Sequence, residues 1–299
     1  METLHVFGRY ENLVGWFHAP TSQPSRSTAV VMLTAGMLHH VGPMRLHVQL
    51  ARRLGAAGIP SFRYDLSGIG ESLAVAAGGP SLDRARNELG AALDLLEAEY
   101  GLRKFVLFGL CSGADDAFTA AVDEPRVVGL SLLDGCGFRT TAFQRHRFWL
   151  KYWPKIWSAR KWSSLARSLV RRINRRGVAS VGASTMPMGD DIREFGEQAD
   201  CERRVQQLLE RRVAQQWIYT GGAVDYYSYA NQFHDMFPEV APSSLLSIEH
   251  LPRLDHLACL REDRETLLRR ITQWCDDLTR EPRTTTPTVR LPEPVCVPC

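Results

Sequence analysis

Gly109-Leu110-Cys111-Ser112-Gly113 closes a continuous apolar stretch, KFVLFGLC, and opens a helical one through Ala114 and Asp115. Where a strand turns sharply into a helix, the central residue takes strained backbone angles, and the positions two before and two after it are crowded enough to demand glycine. The pentapeptide therefore has the context that a nucleophile elbow requires, with a thiol at its tip, although a packed core cysteine can show the same pattern. Beside a histidine and at a helix N-terminus, a thiol can ionise near neutral pH, which a serine hydroxyl cannot. Its acylated form is a thioester, still activated for transfer to an amine, an alcohol, a thiol or water. Asp115 and Asp116, in the first turn of that helix, would oppose the thiolate and raise the Cys111 pKa.

Other reactive side chains make weaker patterns. His39 and His40 are adjacent in a loop and could meet a substrate or a cap, although ordinary loop histidines read the same way. Cys296-x-x-Cys299 has metal or redox spacing, but a single pair in a Pro-rich terminus lacks the other two ligands of a zinc site. No metal or cofactor is expected. Cys259, three residues after His256, reads as buried packing on the last helix. Trp149, Trp153 and Trp157 recur every four residues and share one face of a helix, flanked by Lys151, Lys155, Arg160 and Lys161. Such a face would pack onto the body or roof an apolar pocket.

These residues need elements to hold them. Residues 4–10 and 12–19 read as a hairpin, and TAVVMLTA (28–35), IPSFRYDL, KFVLFGLC, VVGLSLLDG (127–135), QQWIYTGG (215–222) and SLLSIEHLP (244–252) read as further strands. Helical periodicity fills the gaps in MRLHVQLARRLGAAG, in SLDRARNELGAALDLLEAEYG and near 258–279. Alternation at this spacing specifies an α/β fold with a mostly parallel, doubly wound sheet. It is interrupted between about Gly137 and Arg212, where basic, Trp-rich helical sequence suggests an inserted cap. The expected organisation is a core of 1–136 and 213–281, a helical cap of 137–212, and a flexible Pro/Thr-rich tail of 282–299.

In element order and at the elbow, the chain resembles the α/β-hydrolase superfamily over nearly all of residues 1–280. The stretches LTAGMLHHVGPMRLHVQLARRLGAAG, FRYDLSGIGES and GLCSGADDA are similar to a bacterial group associated with exosortase systems. The superfamily orders its triad as nucleophile, acid, histidine, which implies Cys111 as nucleophile, Asp225 after WIYTGGAV as acid and His256 after SLLSIEHLPRLD as base. Asp134, after the earlier strand, is the rival acid. The resemblance also implies an oxyanion hole from the backbone N–H groups of Ser112 and Met37. The Asp65-Leu66-Ser67-Gly68-Ile69-Gly70 segment takes a structural role as a turn and is not a nucleotide loop.

With 299 residues, 44% hydrophobic and 23% charged, the chain has the composition of a soluble globular protein. Its seven cysteines are irregularly spaced, and the N-terminus carries no secretory pattern, so a reducing cytoplasmic setting is expected. The net charge of +3 conceals a segregation: Arg139 to Arg176 holds twelve Lys or Arg and no acidic residue, leaving 24 basic against 33 acidic residues elsewhere. This stretch could receive an acidic acyl-carrier protein, the phosphates of coenzyme A or an anionic membrane surface. Nucleic acid is not indicated, because no nucleic-acid motif is present. The leading expectation is acyl transfer or thioester cleavage through Cys111. Ester hydrolysis by the same triad and a non-catalytic binding module are the alternatives.

Overall fold

In the computed structural model, residues 2–22, 26–75, 81–156 and 197–280 are described. Eight strands, β1 (Glu2–Phe7), β2 (Leu13–His18), β3 (Thr28–Leu33), β4 (Ser61–Tyr64), β5 (Lys104–Leu110), β6 (Val127–Leu133), β7 (Ala214–Thr220) and β8 (Leu246–Leu251), form one sheet in the order β1-β2-β4-β3-β5-β6-β7-β8. The hairpin β1–β2 and the β2–β4 pair are antiparallel, and every later pair is parallel. This is the mostly parallel α/β sheet expected from the alternation of strands and helices.

Near-continuous apolar strands form because both faces are covered. In β3, Ala29, Val31 and Leu33 point to one layer and Val30 and Met32 to the other; in β5, Phe105 and Leu107 oppose Val106, Phe108 and Leu110. The first layer is closed by α2 (Ser81–Tyr100), α3 (Ser112–Asp123) and α5 (Gln198–Glu210), through residues such as Leu93, Ala117 and Val205. The second is closed by α1 (Leu46–Ala56) and α7 (Arg261–Thr279), through Leu50, Leu54, Leu267 and Ile271. Each fully buried aliphatic side chain contributes ~1.5–3 kcal/mol relative to exposure, so both layers hold the sheet rigid beneath its loops.

Within the expected cap, α4 (Thr141–Ile156) is described, and residues 157–196 lie outside the described residues. Trp157, Trp162 and most of the basic stretch fall there, as do the side chains of residues 150–156, including Trp153; the tail from 281, with Cys296 and Cys299, is likewise outside. The end of the insertion comes earlier than residue 212. Cys201, Val205 and Leu208 of α5 belong to the same core as Val213 and Trp217, so α5 is a covering helix of the sheet. A short helix, α6 (Gln232–Met236), follows β7 and buries Phe233 and Met236. Among the described residues, no helix is long and apolar enough to cross a membrane.

Candidate active site

The elbow sits at the C-terminal end of β5, in the middle of the sheet. Cys111 has φ 53° and ψ −124°, outside the helical region, and α3 begins at the next residue. A non-glycine residue in such a conformation is strained and is held by its surroundings. Here Cys111 N–H donates to the Leu133 carbonyl at 2.8 Å, tying the turn to β6. The flanking glycines are required by space. A Cβ at Gly109 would lie 2.2 Å from the Gly113 carbonyl oxygen, and one at Gly113 would lie 2.6 Å from that of Thr34.

His256 lies in the loop after β8. Its backbone rests on Gly222, where a Cβ would come within 2.4 Å of the His256 Cβ and 2.5 Å of its nitrogen, and Gly221 N–H donates to the Leu254 carbonyl at 2.8 Å. Asp255 stiffens the same turn by accepting the backbone N–H groups of Leu257 and Cys259, both at 2.9 Å. The imidazole Nδ1 hydrogen-bonds the Asp134 carboxylate Oδ2 at 2.7 Å, and the His256 side chain interacts electrostatically with the Cys111 thiol.

The acid partner is thus Asp134, which corrects the expectation of Asp225. Asp134 directly follows β6, the neighbour of β5, and its φ of 49° turns the carboxylate back over the sheet edge. Its side chain is fully buried, against 33% exposure for His256. Asp225 lies five residues beyond β7, 70% exposed, where it pairs with Arg147 of α4 at 3.0 Å. Its backbone carbonyl accepts from Arg139 Nε at 2.8 Å. Asp225 links α4 to the loop after β7 and does not hold His256.

A buried carboxylate needs donors in place of water. Besides His256, Asp134 accepts the Thr220 backbone N–H and the Thr220 hydroxyl, each at 2.6 Å, while its own N–H donates to the Ile218 carbonyl at 2.8 Å. The Tyr226 hydroxyl donates to the Asp134 carbonyl at 2.9 Å. Thr220 and Tyr226 escaped the sequence reading. The only trace of their role is position, directly at and just beyond the end of a strand neighbouring β6.

The electrostatics follow from these contacts. The His256 pKa is raised to about 10, first by its bond to Asp134 and then by Cys111. The Cys111 thiol is lowered from its ordinary value, chiefly by the bond to His256, with burial opposing. The upward push expected from Asp115 and Asp116 does not prevail. The charged form of each group favours the charged form of the other.

The loop after β3 lies against the elbow because β3 and β5 are paired in register from Thr28 with Lys104 to Leu33 with Gly109. Gly36 N–H donates to Ser112 Oγ at 2.7 Å, and Leu38 N–H closes the turn onto the Ala35 carbonyl at 2.9 Å. The Gly36 amide is therefore committed and Met37 supplies the next one along, its side chain 93% exposed. The Ser112 backbone N–H is among the groups that lower the Cys111 thiol.

The remaining expected residues are dispersed. His40 is buried, with its backbone N–H on Asp65 Oδ1 at 2.5 Å, its Nδ1 on Asp65 Oδ2 at 2.9 Å and its ring stacked on Trp16. This removes it from the substrate and cap roles expected for it. Asp65 also accepts the Glu71 N–H at 3.0 Å, so the Asp65–Gly70 segment is the structural turn anticipated. His39 is exposed beside the Met37 turn. Trp149 is 53% exposed on α4, next to an exposed Phe148, while Phe143 is, among the described side chains of that helix, the one that is buried. Cys259 is exposed, not buried, because it sits in the turn before α7, whereas Cys275, within that helix, packs inward.

Residues 25–177, just over half of the chain, match the family described as serine aminopeptidase, S33. No curated protein sequence matches the chain. Among solved structures, it is similar to an esterase from Pyrococcus furiosus (13% identity, 94% of this chain and 92% of that one, TM-score 0.58). An α/β hydrolase from Penicillium sp. sh18 aligns at 16% identity over 93% and 98% of the two chains, with a TM-score of 0.57. Mouse α/β hydrolase domain-containing protein 10 aligns at 15% identity over 92% and 99%, with a TM-score of 0.51. At these identities the likeness is one of fold.

Proposed function

Because the chain belongs to the serine aminopeptidase, S33 family of α/β hydrolases, we propose that it is an acyl-transfer enzyme whose nucleophile is the Cys111 thiolate. The observation that carries the reading is the 2.7 Å bond from His256 Nδ1 to the buried Asp134 carboxylate, with Cys111 at the strained turn after β5 and its thiol lowered chiefly by His256. In this reading Asp134 replaces Asp225 as the acid of the triad.

The thiolate attacks the carbonyl carbon of an acyl thioester. The electron pair displaced onto the carbonyl oxygen is stabilised by the Met37 and Ser112 amides, fixed donors of the kind that contribute most to acyl transfer. Collapse breaks the bond to the donor sulfur, which leaves as a thiol with the proton of the His256 imidazolium, and Cys111 becomes acylated. Neutral His256 then takes a proton from water, an amine or an alcohol as that group attacks, and Cys111 departs as thiolate. Asp134 holds the imidazole in one tautomer throughout.

A thioester donor suits a sulfur nucleophile because attacking and leaving groups are of matched basicity, which favours an acyltransferase or thioesterase over a general ester hydrolase. The basic stretch from Arg139 to Arg176 fits an acidic acyl-carrier protein or the phosphates of coenzyme A. A free thiol nucleophile fits a reducing setting such as the cytoplasm. The likeness of GLCSGADDA to exosortase-associated hydrolases agrees with a role in a biosynthetic pathway.

Intact-mass measurement after incubation with acyl thioesters is the test. An adduct that maps to Cys111 and vanishes in C111A is expected. If wild type stays unmodified with short- and long-chain coenzyme A and carrier-bound donors, acyl transfer is refuted and a non-catalytic binding module becomes the better account. Release as free acid or as acylated acceptor then separates hydrolysis from transfer.

A further inference from the structure

We propose that Thr220 is a positioning residue that fixes the Asp134 carboxylate in register with His256 and joins the acid to the loop carrying the histidine. The catalytic meaning of the inference rests on the acyl-transfer reading, but its geometry stands by itself.

A buried carboxylate on a single-residue hinge can rotate about its Cβ–Cγ bond, and an acid that only touches one imidazole does not define that imidazole's orientation. Thr220 removes this freedom from two directions. Its backbone N–H takes Oδ1 and its hydroxyl takes Oδ2, both at 2.6 Å, so the carboxylate plane is held by a clamp from one residue. His256 Nδ1 then meets an Oδ2 whose place is already decided.

The same hydroxyl oxygen accepts the Gly222 N–H at 3.1 Å, which closes the short turn Gly221–Ala223. Gly222 is where the His256 backbone rests, with no room for a Cβ. One oxygen therefore couples the β6 end, the β7 end and the histidine loop. Thr220 is 1% exposed, so water does not substitute for it. The other titratable groups around this cluster include Cys111, Asp115, Cys136, His250 and the Tyr226 phenol, whose pKa is pushed upward mainly by burial.

The experiment is the pH profile of Cys111 alkylation by iodoacetamide, read on the Cys111 peptide by mass spectrometry in the full chain, for wild type, T220S and T220V. Loss of the clamp lets the carboxylate turn away, so the T220V midpoint should rise by about one pH unit and acylation at neutral pH should slow about tenfold. T220S, which keeps the hydroxyl, should superimpose on wild type. Loss of a donor without loss of register would make Oδ2 more basic and leave the midpoint in place or lower it, and either result overturns the proposal. A T220S profile displaced like that of T220V overturns it too, since the methyl and not the hydroxyl would then matter. If T220V does not fold, T220A is read against the same outcomes. Iodoacetamide needs no acyl donor, so a midpoint that moves as expected in a protein that never acquires an acyl adduct removes the acyl-transfer reading alone.

Discussion

Asp134 Oδ2 accepts two hydrogen bonds at once, from His256 Nδ1 at 2.7 Å and from the Thr220 hydroxyl at 2.6 Å, with the carboxylate itself fully buried. The histidine is thus oriented by a carboxylate whose own position comes from a neighbouring strand. Activity should depend on that carboxylate and not on the acid five residues beyond β7.

D134N should lower the rate of Cys111 acylation by about 10³- to 10⁴-fold, because an amide can leave the imidazole in the wrong tautomer. D225N should remain within about threefold of wild type, since it removes an exposed ion pair worth ~0–1 kcal/mol. Burst-phase kinetics with an acyl thioester decide this, and the reverse ranking would restore Asp225 as the acid.

The pH dependence follows from the thiolate–imidazolium pair. His256 is raised from 6.5 to about 10, so its folded state binds the proton more tightly than the unfolded chain. That stabilisation is complete below about 6.5 and is lost as pH rises through about 10. Cys111 is lowered, so its contribution has the opposite sense: present above the ordinary thiol value and lost as pH falls through the depressed one. The stability advantage of wild type over H256Q in urea unfolding should therefore shrink between those two histidine values. An advantage that grows with alkalinity would contradict the pairing.

Burial predicts a second, acid-side dependence. His47 is fully buried, and its pKa is pushed down to about 4, first by desolvation. The unfolded chain binds this proton more readily, so the folded state loses stability as pH falls from about 6.5 towards 4. Denaturation midpoints across that interval should fall more steeply for wild type than for H47F, and parallel slopes would reject the assignment.

At the elbow, G113A must push a methyl group into the Thr34 carbonyl, 2.6 Å from the ideal Cβ, with Leu33 O at 2.8 Å. Both obstacles are backbone of the sheet, so relief requires the β3 loop or α3 to shift. A loss of at least ~1–3 kcal/mol is expected together with slower acylation. Thermal unfolding of G113A beside G90A separates site from composition, because a Cβ at Gly90 meets nothing within 4 Å.

If the basic stretch receives an acidic carrier, kcat/KM for a carrier-bound donor should fall as ionic strength rises, while that for a small acyl thioester stays flat. Equal salt dependence for both donors would remove electrostatic docking from the account.

Much was legible because apolar runs, helix periods and glycine crowding are local properties. TAVVML, KFVLFGL and VVGLSLL announced buried strands, and Gly109-x-Cys-x-Gly113 announced the elbow from the steric demand of one turn. The histidine could be proposed from its place after the last strand. The acid could not be decided, because Asp134 and Asp225 both follow strands and chain order is the same for either. The exposed or buried state of Cys259 and His40 was similarly beyond reach, since each depends on which neighbour its turn presents.

By itself the sequence determined the alternation that builds a parallel sheet and the thiol at a strand-to-helix turn, because backbone sterics and hydrophobic period act over a few residues. Only the tertiary structure decided which carboxylate meets His256. That choice depends on β6 lying beside β5 and on Thr220 of β7 reaching across to hold the acid, and such adjacency arises when distant strands pair and exclude water.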